Sequence, residues 1–374
     1  MRAMAKAATS VAALMLLVMG GKPVGAETIT IGKGTGIVWE GMPFDVTMSG
    51  ALGDSLLNNV AGLLVISPLS NACLNNIVGG GLTSIAGFNA YKIAPGVGLI
   101  PRAVGYAFYT LYNNTQETLT GTIGLPQTGG RTNSGYNITN PITGTPLGSL
   151  YWCLPPRMNS TNNFYSATGS RNARIYGTWV MVADGTQTSQ SIDVKPMYAG
   201  SYSNSPSAGS KYVQIFPSNI ALRISTLICT VMTTTQINFG SVQRNTQNGT
   251  ELAKLTYPLS TSCTQDAASG VNANINVQFR ALSGNYNATP SWLSLTQGGG
   301  YITGEIDNGV TGSGACTGTS GIPFDNTQLK VGNMTSAETS KTTSNNVTWR
   351  LCSGGSNLPT GAVNASAEVL VTFN

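Results

Sequence analysis

The feature that most limits how this chain can fold is an alternation of apolar and polar residues with a period of two. In residues 271–281 every odd position is apolar, and the even positions hold asparagine, glutamine or arginine. Apolar residues also recur at every second position in 255–259 and 347–351. Successive side chains of a strand point to opposite faces of a sheet, so this pattern is typical of strands with one buried face.

The composition supports the same interpretation. Charged residues make up only 9 % of the chain, so the helix formers Glu, Lys and Arg are scarce. Glycine, asparagine, serine and threonine fill the intervals between the strand-like segments, as turns require. The 374 residues suit two domains of ordinary size. We therefore predict an all-β protein of two β-sandwich domains, residues 27–218 and 219–374, joined by a short connection near Pro217.

Residues 1–26 have the features of an export signal. Arg2 and Lys6 precede a short apolar run at 11–19, and small residues at Val24 and Ala26 predict cleavage after Ala26. The apolar run is too short to span a bilayer as an anchor. We expect the mature protein outside the cytoplasm.

Six cysteines fit an oxidising compartment, although six allow 15 connectivities. If each bridge stays within one domain, Cys73 must pair with Cys153. Proximity in the sequence alone then favours Cys229–Cys263 and Cys316–Cys352.

Several function classes are disfavoured. The chain has no histidine, which excludes Ser-His-Asp and Cys-His catalysis and histidine-ligated metals. No Cys-x-x-Cys pair is present, so we expect neither a metal nor a cofactor. The net charge is +5, but three of those charges lie in residues 1–26, which leaves no electrostatic signature for nucleic acid. A glycosidase acting through two carboxylates needs no histidine and stays open, although nothing in the sequence favours an enzyme.

Alternation also extends through residues 361–374. The odd positions there are apolar or glycine, and Ala362 and Leu370 are the apolar exceptions among the even ones. This pattern suits an ordinary final strand of a closed sandwich, or a strand whose edge awaits a partner. Its odd positions are Gly361, Val363, Ala365, Ala367, Val369, Val371 and Phe373.

The C-terminal region resembles a pilin domain of chaperone–usher fimbriae. Members of that family have a glycine fourteen residues from the end and a penultimate aromatic residue, and Gly361 and Phe373 occupy these places. The family aromatic is usually tyrosine. Cys229, the alternating stretch 237–242 and Cys263 also resemble the family's first strand and its disulfide.

The resemblance implies an incomplete immunoglobulin-like sandwich, completed by a donor strand. The partners implied are a periplasmic chaperone, an outer-membrane usher and an adjacent fimbrial subunit that donates the strand. The apolar residues from Val363 to Phe373 would line the groove, and basic side chains of the chaperone would hold the carboxylate of Asn374. Because residues 27–218 precede the pilin-like part, no free donor arm is expected. The two-domain subunits of this family are tip adhesins.

The N-terminal half has one unusual chemical feature. No acidic residue lies between Glu117 and Asp184, and this stretch is rich in arginine, aromatic and asparagine residues. Aromatic faces and amide or guanidinium groups together suit carbohydrates, and arginine adds recognition of carboxylate or sulfate. An acidic glycan is therefore the predicted ligand, although the aromatics also suit a core and lone arginines are often solvated. The candidate residues are Trp152, Arg157, Asn159, Asn163, Tyr165, Arg171 and Arg174.

These observations predict a fimbrial tip adhesin on a bacterial surface that binds a host glycan or protein receptor. A minor pilin or fibre cap without a receptor is the main alternative. A secreted eukaryotic sandwich protein is a further alternative, against which the positions of Gly361 and Phe373 argue.

Overall fold

The computed structural model describes residues 27–51, 62–77, 80–111, 113–145, 148–155, 169–202, 209 and 211–374. The predicted export signal therefore lies outside the described residues. Within these ranges the regular structure consists of strands and two 3-10 turns, Ala267–Ser269 and Tyr286–Ala288, so the predicted all-β class is confirmed. No helix of the described ranges is long and apolar enough to cross a membrane.

The first part of the chain holds the strands up to Ile224. They are β1 (Glu27–Ile31), β2 (Thr35–Ala51), β3 (Leu64–Ser67), β4 (Leu74–Asn75), β5 (Thr83–Ile85), β6 (Phe88–Ala94), β7 (Val97–Thr110), β8 (Gln116–Gly124), β9 (Gly129–Thr132), β10 (Asn137–Thr139), β11 (Ile142–Thr145), β12 (Gly148–Tyr151), β13 (Cys153–Leu154), β14 (Ser170–Asp184), β15 (Gln190–Asp193), β16 (Met197–Ser201), β17 (Lys211–Phe216) and β18 (Ile220–Ile224).

The second part holds the remaining strands. They are β19 (Ile228–Thr233), β20 (Glu251–Thr264), β21 (Ala273–Ala281), β22 (Leu293–Ser294), β23 (Gly300–Ile306), β24 (Leu329–Met334), β25 (Ser340–Ser353) and β26 (Ala367–Phe373). The alternating segments 255–259, 271–281 and 347–351 fall in β20, β21 and β25, as their period predicts.

Five sheets organise these strands. The largest runs β10-β9-β8-β7-β14-β2, with the β5–β6 hairpin added beside β7, and it faces a four-stranded sheet, β13-β3-β16-β17, across the first core. A three-stranded sheet, β11-β12-β4, lies beside them. The second core lies between the sheet β19-β20-β25-β23-β22 and strands β21, β24 and β26. These last three belong to a sheet of order β15-β18-β1-β26-β21-β24, which joins the two parts.

The first core extends a few residues beyond the boundary that we predicted at 218/219. Ile220, Leu222 and Ile224 of β18 are buried in it, and the second core begins at Leu227. The reason is a parallel pairing of β18 with β1, nearly two hundred residues earlier in the chain. The apolar segment from Ile220 to Thr233 therefore forms two strands, β18 and β19, one for each core.

Three disulfides fasten the sheets: Cys73–Cys153, Cys229–Cys263 and Cys316–Cys352. They are the pairs expected from domain membership and proximity. Cys229 and Cys263 lie directly opposite each other on β19 and β20, so this bridge fixes the register of the first strand of the second part.

The polar face of β21 is buried, contrary to the one-sided strand that its alternation predicts. Asn276 and Gln278 are almost fully enclosed. The Gln278 amide donates to the backbone oxygen of Glu40, 3.0 Å away on β2, because the first part of the chain covers this face. A polar face that would meet water in an isolated domain therefore forms the joint between the two parts.

Charged side chains complete the joint. The Glu40 carboxylate, only 2 % exposed, lies 3.2 Å from the guanidinium of Arg102 and accepts hydrogen bonds from Thr178 and Asn326. Arg102 also lies 3.6 Å from Glu368 of β26, which in turn pairs with Arg280 of β21. Burial lowers the pKa of Arg102, and Glu40 opposes that effect. Acidic and basic groups thus alternate across the joint.

We predict that Glu40→Gln destabilises the chain by about 3 kcal/mol, because it leaves the enclosed guanidinium of Arg102 without its nearest counter-charge. Urea unfolding of the full chain, followed by tryptophan fluorescence, measures the change.

Glu368→Gln is the matched control. Its carboxylate is 38 % exposed, so a loss below about 1 kcal/mol is expected. Equal losses for the two variants would contradict this description of the joint.

Candidate functional site

An open groove lies along the second core, between β19 and β26. Strand β26 pairs with β21 along one edge, whereas among the described strands its other edge meets only β1, at Thr30 opposite Phe373. Strand β19 ends the five-stranded sheet, and β20 is its one partner in the described part of the chain. Two strand edges with unpaired backbone groups therefore face each other.

The groove consists of two adjoining cavities of about 440 and 240 Å³. Val231 and Val369 line both cavities, so the space is continuous along β26. Apolar residues predominate in its lining, beside Lys33, Thr35, Ser366 and the threonines at 233–235. The apolar residues include Val231, Ile237, Phe239, Leu259, Phe279, Val347, Trp349, Ala365, Ala367, Val369, Val371 and Phe373. Leu259, Phe279 and Val347, each at most 2 % exposed, belong to the second core and form the floor of the groove.

The edge strand β19 has apolar residues on both of its faces. Cys229, Val231 and Thr233 turn inward and are half-buried, while Ile228 and Met232 on the other face are exposed, Met232 by 58 %. A strand with apolar residues on both faces and a free edge tends to pair with another chain.

The C-terminal residues fall only in part where the sequence predicted. Strand β26 begins at Ala367, so residues 361–366 are not part of it. Ala365, Ala367, Val369, Val371 and Phe373 line the groove, whereas Gly361 and Val363 are not among its lining residues. Gly361 is exposed with φ of 93°, a left-handed conformation that glycine adopts readily, and it lies in the loop before β26.

Asn374 continues the pairing of β26 beyond Phe373. Its backbone oxygen accepts from the N–H of Asn274, 2.8 Å away, and its side chain bonds to Asn274, Asn276 and Gln328. The contact with a chaperone that the family resemblance implies for Asn374 stays a prediction.

The alternating stretch 237–242, part of the family resemblance, forms no strand. No strand lies between β19 and β20 in the described residues, and Asn238 bonds to the N–H of Gly240 in a turn. Ile237 and Phe239 nevertheless project into the groove lining. The two apolar side chains thus face the same side of the chain, although their backbone pairs with no strand.

The N-terminal candidates have three different outcomes. Arg157, Asn159, Asn163 and Tyr165 lie outside the described residues. Trp152 lines a cleft described below. Arg171 and Arg174, both on β14, have partners within the protein.

Arg171 is buried, and the structure gives it a structural role in place of the predicted ligand contact. Its side chain is 1 % exposed and donates to the hydroxyl and carbonyl of Ser201 and to the carbonyls of Gly50, Ala51 and Gly209. A guanidinium with five donors suits such a ring of oxygens, and it ties β2, β14 and β16 together.

Arg174 lies on the outer face of the large sheet. It makes a two-pronged ion pair with Asp45 on β2 and lies 5.2 Å from the ring centre of Tyr176. The hydrogen bonds from Arg174 lower the pKa of Asp45. The charge that was to recognise an acidic glycan is therefore balanced within the protein.

A second concave site, the cleft, lies at one side of the first part and has a volume of about 540 Å³. Four chain segments form it: the β5–β6 hairpin, the loop between β8 and β9, residues 138–141, and Tyr151 with Trp152. The hairpin turn has positive φ at Ala86 and Gly87, as a tight two-residue turn requires, and it presents Phe88 and Asn89 to the cleft.

Local hydrogen bonds hold the β8–β9 loop in place. The N–H of Gly124 donates to the Thr128 hydroxyl, and the Thr122 hydroxyl donates to the carbonyl of Gln127. The Gln127 side chain remains exposed at the cleft. The sequence did not single out Asn89, Gln127 and Asn140 as site residues. Their one local signal is a position in a turn-rich segment, and loops often carry binding residues.

No protein-family model matches this chain, and no curated protein matches its sequence. Among solved structures, the chain is similar to the CupB6 tip adhesin from Pseudomonas aeruginosa, with 12 % identity, a TM-score of 0.29, and coverage of 91 % of this chain and 87 % of that one. It is also similar to a chain described in a chaperone–tip adhesin complex of CFA/I fimbriae biogenesis, with 10 % identity, a TM-score of 0.23, and coverage of 94 % and 97 %. Both are described with tip adhesins. TM-scores this low carry no argument about function.

We predict that Arg171→Ala lowers the free energy of unfolding by about 3 kcal/mol, because it leaves buried carbonyl oxygens without donors. Arg174→Ala, on the same strand but at the surface, should leave the urea midpoint nearly unchanged. A small effect of Arg171→Ala, equal to that of Arg174→Ala, would show that the buried ring of oxygens does not depend on this guanidinium.

Proposed function

We propose that the chain is a fimbrial tip adhesin. Its second part binds first a periplasmic chaperone and then the outer-membrane usher, and finally takes up a strand from an adjacent fimbrial subunit. Its first part binds a host receptor of the glycan class. The groove between β19 and β26 is the observation that carries this proposal.

The groove has the two properties that a strand acceptor needs. Its edges offer unpaired backbone N–H and C=O groups on both sides, so an inserted strand could form hydrogen bonds in both directions. Its floor is the apolar core itself, which would take up every second side chain of that strand. At about 3.3 Å per residue, a donor as long as the seven residues of β26 would cover the groove.

The energetic reason for insertion is burial. The half-buried Ala367, Val369 and Val371 of β26 and the inward residues of β19 would leave water when the groove fills, at about 25 cal/mol for each Å² of apolar surface. Backbone pairing would also remove two free edges, which otherwise promote aggregation.

The first described strand supports a terminal place in the fibre. Strand β1 pairs with β18, and its Ile29 and Ile31 are buried in the first core. These residues are therefore committed to this protein's own sheet and are not available as a donor strand. A subunit that accepts a strand and keeps its own first strand suits the tip.

We predict that a short synthetic peptide in which valine alternates with threonine raises the melting temperature of the mature chain by about 5 °C at saturation. Val231→Asp should abolish this shift, because it places a charge in the apolar lining. Differential scanning fluorimetry measures both results.

Thr230→Asp is the matched control, since Thr230 is the neighbouring residue on the outer face of β19. It should respond to the peptide as the unchanged chain does. A shift that survives Val231→Asp, or none in any variant, would contradict strand uptake. A chain that takes the peptide yet binds no receptor would instead be the fibre cap.

A further inference from the structure

We propose that the cleft in the first part of the chain binds an uncharged carbohydrate. This inference rests on the proposed receptor-binding role of that part, and it names both the site and the ligand class. It also replaces the acidic glycan that the arginine-rich sequence predicted.

The lining of the cleft carries no acidic or basic side chain among the described residues. An anionic sugar would therefore find no counter-charge there, and burying its carboxylate or sulfate would cost free energy. The lining instead combines amides, hydroxyls and aromatic rings, and its exposed polar and apolar portions are similar in extent. Such a mixture suits a ligand that has hydroxyl groups on its rim and C–H bonds on its faces.

The aromatic component lies in the wall of the cleft. Tyr151 and Phe88 are half-buried there, so part of each ring is accessible. The face of an aromatic ring is slightly negative and attracts the C–H bonds of a sugar ring. The volume of about 540 Å³ lies within the range of small-molecule sites.

The polar component includes one buried group that no part of the described chain satisfies. The amide nitrogen of Asn140 donates to the carbonyl of Cys153, 2.8 Å away, while its buried oxygen Oδ1 accepts from none of the described residues. A buried amide oxygen normally has a partner, so a ligand hydroxyl at this wall of the cleft would supply the missing donor. Trp152, 2 % exposed, lies in the same lining.

The backbone at Trp152 is held in an uncommon conformation. Its φ is 51°, which is rare for a large side chain and costs free energy unless the surroundings enforce it. The Cys73–Cys153 disulfide follows immediately, and the carbonyl of Trp152 accepts from the N–H of Ile66, 3.0 Å away. Such enforced conformations are concentrated at ligand sites.

The test uses the full mature chain and a glycan array that carries neutral sugars (glucose, galactose, mannose, fucose and the N-acetylhexosamines) beside sialylated and sulfated ones. Titration calorimetry with the best neutral ligand then compares variants. Gln127→Ala and Asn89→Ala remove exposed amides that bond to no described residue, so both variants should fold. Each should weaken binding about fivefold. Asn172→Ala, an exposed amide on the outer face of β14, should not change it.

Three results would overturn the inference. Binding confined to sialylated or sulfated glycans would contradict the uncharged ligand. Neutral-sugar binding that neither cleft variant weakens would place the site elsewhere and leave the glycan-binding adhesin intact. A chain that takes up the strand peptide but binds no glycan would reject both the cleft and the glycan part of the proposed function.

Discussion

The structure depends on one unmet requirement: a strand at a sheet edge has backbone groups that need partners. In the second part of this chain two such edges, β19 and β26, face each other across an apolar gap. Strand β1 meets the same requirement by pairing with β18, a segment distant in the sequence. The core residues Leu259, Phe279 and Val347 form the floor of the gap between β19 and β26. A strand from outside would fill this gap and bury the remaining apolar surface.

Strand β26 connects this gap to the rest of the molecule. Its inward residues line the groove, and its Glu368 takes part in the alternating charges that join the two parts through Arg102 and Glu40. The neighbouring strand β21 contributes Gln278 to the same joint. Strand β26 therefore belongs both to the wall of the groove and to the joint between the two parts of the chain.

The alternation of apolar and polar residues was enough to predict several strands and their inward faces. The features that it missed depend on contacts between segments that lie far apart in the sequence. Alternation located β20, β21 and β25 and identified the inward residues from Ala365 to Phe373. It could not indicate that β18 belongs to the first core, since its partner β1 is remote in sequence. Arginine content suggested a charged ligand, but the folded chain surrounds Arg171 with its own carbonyls. The cleft is assembled from four separated segments, so no local signal marked it.

Amide hydrogen exchange of the mature chain, measured by mass spectrometry with and without the alternating peptide, tests the open groove most directly. The account predicts that amides of β19 and β26 exchange faster than those of β20, β21 and β25 in the chain alone, because one edge of each has no partner. The peptide should slow exchange in these two strands selectively. Slow exchange in β19 and β26 without peptide, or protection by the peptide elsewhere, would contradict the account.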